Sequence, residues 1–75
     1  MTDTANRYNA LVRKTFDMLY SLCEGQKKTH SDLIKQASLL LPITSGTQAV
    51  NQLPEYNDIL KSVVDLYEIE VGIKT

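Results

Sequence analysis

Cysteine and histidine occur once each, and tryptophan is absent. With Cys23 alone, no disulfide can form within the chain, so the usual covalent staple of a small domain is missing. Cys23 and His30 are its only soft metal ligands, and two ligands do not close a tetrahedral zinc site. No metal and no cofactor are therefore expected. Glycine is also scarce. Gly25, Gly46 and Gly72 are scattered at the ends of patterned segments and form no phosphate-cradling loop. The longest apolar stretch, 39–43, is short and contains Pro42, whereas a bilayer span needs about 20 apolar residues. The opening residues Met-Thr-Asp-Thr-Ala-Asn carry neither a basic segment nor an apolar one. The expectation is a cytoplasmic protein with no export signal and no membrane association. Charge of one sign is lacking too: the net value is −1, which exerts no overall pull on DNA or anionic lipid.

What is present is the composition of a folded globule, 43% hydrophobic and 23% charged. Its 75 residues leave room for a single domain, 1–75, with a thin core. Domains of this size lean on disulfides, metals or a partner. With the first two disfavoured, the remaining supports are a partner surface or three helices packed well enough to stand alone. Charge is unevenly distributed. Residues 1–37 sum to +2 and residues 38–75 to −3, a split compatible with an ordinary solvated surface or with complementary halves of a dimer.

Apolar periodicity predicts an all-α fold: a small bundle of three main helices, with a short helix near 46–53. Over 4–24, the residues Tyr8, Leu11, Val12, Thr15, Phe16, Met18, Leu19, Leu22 and Cys23 fall on one broad face. A face that wide should touch two other elements, so this is the central helix. Gly25 is its expected stop. Thr29 followed by Asp32 has capping-box spacing and starts a second helix near His30, with Leu33, Ile34, Ala37, Leu40 and Leu41 turned inward. Leu39 points away from that stripe. Pro42 is expected to end the helix, because the residue before a proline is pushed out of the α region. Ser45 and Gln48 repeat the capping-box spacing ahead of a short turn. From Glu55 to Glu68, one face holds Tyr56, Ile59, Leu60, Val63, Val64, Leu66 and Tyr67, and the other holds polar residues including Asp65 and Glu68. Beyond Glu68 the phase breaks. Ile69, Val71 and Ile73 alternate with Glu70, Gly72 and Lys74, which reads as a short extended or frayed tail. An overrunning helix with an imperfect face fits as well. An ordered strand there would have to pair with a second copy or with another protein.

Chemistry is poorly supplied. Cys23 lies on the apolar face, where a thiol is inert. His30 sits at a helix start, and the acidic pairs Asp65/Glu68 and Glu55/Asp58 belong to a polar face. No catalytic residue is expected, nor any small-molecule substrate. Residues 31–41, a loop and 46–53 together resemble the outline of a helix-turn-helix. That resemblance implies DNA reading by Thr47, Gln48, Asn51 and Gln52, since amide side chains match adenine edges. The reading helix of that outline has no Lys or Arg for phosphates, and the C-terminal half is acidic. The favoured reading is a small cytoplasmic protein–protein interaction or regulatory module, with a homodimer as one of its forms. Its partner is another protein or a second copy, met through Leu39, Ile69, Val71 and Ile73. A helix-turn-helix-like DNA-binding regulator is the alternative.

Overall fold

The computed structural model describes the backbone of residues 2–73 and the side chains of residues 8–73. Three α-helices, α1 (Thr2–Cys23), α2 (His30–Ser45) and α3 (Tyr56–Glu70), pack around one core. A 3-10 helix, η1 (Gln48–Gln52), lies in the connection from α2 to α3. No strand is present among the described residues. The helices run up, down and up. Tyr8 of α1 bonds Ser62 near the start of α3, and the Tyr20 ring packs on Tyr67 near its end, so α1 and α3 are parallel. Thr15 meets Thr44, and His30 meets Glu68, so α2 runs antiparallel to both. As the breadth of its face requires, α1 contacts both α2 and α3.

The core is built from Val12, Leu19 and Cys23 on α1, from Leu33, Ala37, Leu40 and Leu41 on α2, and from Ile59, Leu60, Val63, Val64 and Tyr67 on α3. Val50 of η1 closes one end. Within this apolar interior Thr15 and Thr44 are both buried, their hydroxyls 2.7 Å apart. Thr44 donates its single hydroxyl proton to the Leu41 carbonyl. Thr15 must then donate to Thr44, and every proton in the chain finds an acceptor. Thr44→Val is expected to cost about 1–2 kcal/mol, because it strands the Thr15 hydroxyl. Adding Thr15→Val should return part of that loss. Urea denaturation of the four combinations measures this coupling, and simple additivity of the two losses would rule it out.

Each α-helix stops on a left-handed residue, as its capping hydrogen bonds require. At the end of α1, the Gly25 N–H bonds the Tyr20 carbonyl across a Schellman loop. The left-handed turn begins not at Gly25 but at Glu24, with φ 55°. A Cβ in that conformation costs about 1–2 kcal/mol, and glycine's greater freedom in the unfolded chain recovers part of the difference. Glu24→Gly is therefore expected to raise stability by about 0.5–1 kcal/mol. A melting point no higher than that of the parent would show that the Glu24 side chain makes a compensating contact.

Four sequence expectations need correcting. First, α2 does not end at Pro42 but continues to Ser45, and Gly46, with φ 75°, stops it by bonding the Pro42 carbonyl. Ala37, Leu41 and Thr44 share one buried stripe that straddles the proline, and this burial carries the helix through. Second, η1 is capped by Thr47, which accepts from the Ala49 N–H, whereas Ser45 takes part in a turn with Thr47. Third, of the two readings of the segment after Glu68, the overrunning helix holds and the extended one does not. The helix runs to Glu70, and Gly72, at φ 83°, closes it as the Ile73 N–H bonds the Glu68 carbonyl. Fourth, Leu22 and Leu66 are exposed, while Glu68 is buried. The inward arc of α3 is rotated toward Glu68 and away from Leu66, which sets the Glu68 carboxylate 3.2 Å from His30 Nδ1.

Candidate interaction surface

The large aliphatic side chains most exposed on α1 and α2 are Leu22, Leu39 and Ile43; Leu53, Leu66, Ile69 and Ile73 are exposed elsewhere. On α2, Leu39 and Ile43 are spaced i, i+4 and are 59% and 65% exposed. On α1, Met18 and Leu22 have the same spacing, and Leu22 is 56% exposed. A shallow groove between the helices, lined by Asp17, Met18, Ser21, Leu22 and Leu40, runs beside the α1 stripe; Leu39 and Ile43 are not among its lining residues. Leu40 is buried at the bottom, so the groove floor is continuous with the core. Packing accounts for the exposure. A three-helix bundle gives each helix two neighbours, and the buried stripes of α1 and α2 are satisfied by α3 and by each other. Nothing among the described residues covers the outer edge of the α1–α2 seam.

The sequence candidates fall in different places. Leu39 lies at the centre of this face. Ile69 and Ile73 are exposed at the end of α3, whereas Val71 is half-buried against the core. The His30–Glu68 contact places that end beside the start of α2. Leu39 is nine residues further along α2, about 13 Å away at helical rise, so the four residues do not form one patch. Sequence reasoning missed Ile43, taken as part of a loop after Pro42, and Leu22, counted into the core. The available signal was the Leu39-to-Ile43 interval, which becomes a helical spacing once Pro42 is allowed inside the helix.

Thr47, Gln48, Asn51 and Gln52 are all exposed. Gln48, Asn51 and Gln52 lie on η1, a 3-10 segment of five residues, about 10 Å long at its rise per residue. The Thr47 hydroxyl is already engaged as the cap.

A second concavity lies where η1, packed on α2 and α3, fails to reach α1. It is a cleft of about 490 Å³ with an apolar floor of Leu11, Leu53 and Ile59, and with Lys14 and Glu55 on its walls. Neither Cys23 nor His30 lines it. Cys23 is buried in the core, and His30 is an exposed residue at the first position of α2. Among the described residues, no group of three or more acidic, cysteine or histidine side chains could hold a metal ion. No described helix is long and apolar enough to cross a membrane. No protein-family model matches the chain, and no curated protein or solved structure matches it either.

Proposed function

We propose that this chain is a protein-interaction module that binds through the α1–α2 face centred on Leu39. The supporting observation is that Leu22, Leu39 and Ile43 are each more than half exposed on two neighbouring helices, with Leu22 on a groove floored by Leu40. Single exposed leucines are unremarkable, but three large aliphatic side chains on paired helices concentrate apolar surface of the kind that marks a contact site. Desolvating them is worth about 25 cal/mol per Å², while Asp17 in the groove and Lys35 one turn from Leu39 would stay at the solvated rim. The groove's polar side chains are Asp17 and Ser21, with no histidine, cysteine or second carboxylate among its lining, so its physical capacity is to adhere. Residues 69–73, which sequence reasoning grouped with Leu39, stand outside this face.

A photoreactive amino acid at position 43, with a control at the exposed polar position Asn57, tests the proposal in the native host. Protein adducts are expected from position 43 and not from position 57. Equal labelling from both positions, or none from either, would remove the face from consideration.

A further inference from the structure

We infer that the cleft between α1, the end of α2 and the start of α3 binds a small zwitterion with an apolar body, the chemistry shared by apolar amino acids and their dipeptides. The site is separate from the α1–α2 face and shares no residue with it.

The cleft exists because α1 and η1 do not touch. Leu11 of α1, Leu53 after η1 and Ile59 of α3 are left as its apolar floor, and its volume of about 490 Å³ lies within the range of small-molecule sites. The hydroxyls in its lining are already engaged. Tyr8 bonds Ser62 and the Asp58 carbonyl, and Thr44 bonds Thr15 and the Leu41 carbonyl. Ser45 donates to the Thr47 carbonyl, and Thr47 accepts from the Ala49 N–H. A hydroxyl-rich ligand such as a sugar would find few partners here. What remains uncommitted among the described lining residues is one cation, Lys14, and one anion, Glu55.

Each charge lacks a partner for a structural reason. Asp17 is the one acid a helical turn from Lys14, and it lies 3.9 Å from Arg13 instead. Ala10 and Met18, at i−4 and i+4 from Lys14, carry no charge. Glu55 stands at the N-cap position of α3 and is half-buried, yet its side chain makes no capping bond. Among the described residues, Lys14 and Glu55 do not pair with each other either. Opposite charges held apart above an apolar floor select a ligand by its own charge pattern. A carboxylic acid would satisfy Lys14 but leave the Glu55 carboxylate facing an apolar body, which is costly. An amine has the converse defect at Lys14. A zwitterion answers both charges and lays its side chain on Leu11, Leu53 and Ile59.

Methyl nuclear magnetic resonance of the full chain, titrated with ligand to about 20 mM so that weak affinities are read, provides the test. The probes are phenylalanine, the dipeptide leucyl-phenylalanine, and two singly charged analogues: hydrocinnamate, which lacks the ammonium, and phenethylamine, which lacks the carboxylate. A zwitterion is expected to shift the methyl signals of Leu11, Leu53 and Ile59 while Leu39 stays still. The better binder of the two zwitterions shows whether the source is a free amino acid or a peptide. The acid and the amine should each bind about fivefold or more weakly. Lys14→Met should bring the zwitterion down to the level of the amine without weakening the amine. Glu55→Gln should bring it down to the level of the acid without weakening the acid. No shift from either zwitterion, shifts that spare the cleft, or an acid or amine that binds as tightly as the zwitterion would each overturn the inference. So would a variant with unchanged circular dichroism that weakens every ligand by the same factor. The comparison of ligands on the wild type needs no variant, so it decides the matter even where a variant fails to fold.

Discussion

Tyr67→Ala is expected to bring the domain to the edge of unfolding. The Tyr67 side chain is the largest among the fully buried residues, with no exposed surface. Its ring packs against Tyr20 at 5.9 Å between centroids, and its hydroxyl crosses the bundle to donate to the Gln26 carbonyl in the α1–α2 connection. One residue thus ties α3 both to α1 and to the α1–α2 connection. Removing a buried aromatic of this size costs about 3–5 kcal/mol, against a total of about 4–11 kcal/mol expected for a chain of 75 residues. Tyr67→Phe keeps the ring and loses the hydroxyl, and should cost only about 1 kcal/mol, because Gln26 is exposed and water can replace the donor. The same side chain imposes a pH limit. Burial pushes the Tyr67 phenol above its ordinary value of 10.0, with Cys23 and Tyr20 adding to the effect. The folded state favours the neutral phenol. Its contribution is therefore complete below about pH 10 and is lost as pH rises through the folded value. Tyr67→Phe should remove that part of the alkaline dependence. Urea unfolding from pH 7 to 11 measures both effects. A loss under 1 kcal/mol in Tyr67→Ala would mean that the core is not assembled around this ring.

The second large effect is a gain. Pro42→Ala should raise stability by about 1–2 kcal/mol. Inside α2, Pro42 cannot donate to the Ser38 carbonyl, and an interior proline costs a helix about 3 kcal/mol. Alanine restores the donor. It also returns about 0.4–1 kcal/mol of entropy to the unfolded chain, which reduces the net gain. In a domain of this length the gain corresponds to a melting point roughly 6–13 °C higher. Thermal unfolding followed at 222 nm measures it. No gain, or a loss, would mean that the half-buried proline ring packs well enough to offset the missing bond.

These two residues mark how far the sequence could be read. The helical pattern of α1, the Thr29 cap and the inward residues of α2 and α3 were legible, because apolar spacing and capping chemistry are local signals. Pro42 was misread for a physical reason. Local rules weigh the cost of a proline at one point, but the burial of Thr44 beyond it is a tertiary gain that only the packed bundle reveals. That one error hid Ile43, and with it half of the exposed stripe on α2. Leu22 was hidden differently. Periodicity tells which residues share a face, but not where the neighbouring helix stops covering it. Glu68 follows the same rule in reverse: an acidic residue on an apparently polar side is drawn inward by the rotation of α3, and it meets His30 from a distant segment. The alternating pattern after Glu68 was real as sequence but too short to outweigh continuation of a helix already anchored at Tyr67.

Methyl nuclear magnetic resonance of the labelled chain, alone and in dialysed extract of its native host, tests the central claim most directly, because it reports each exposed aliphatic side chain separately. The methyl signals of Leu22, Leu39 and Ile43 should shift or broaden together on addition of extract, while those of Leu53, Ile69 and Ile73 stay still. Changes confined to Leu53, Ile69 or Ile73, or spectra unaltered by the extract, would contradict the account.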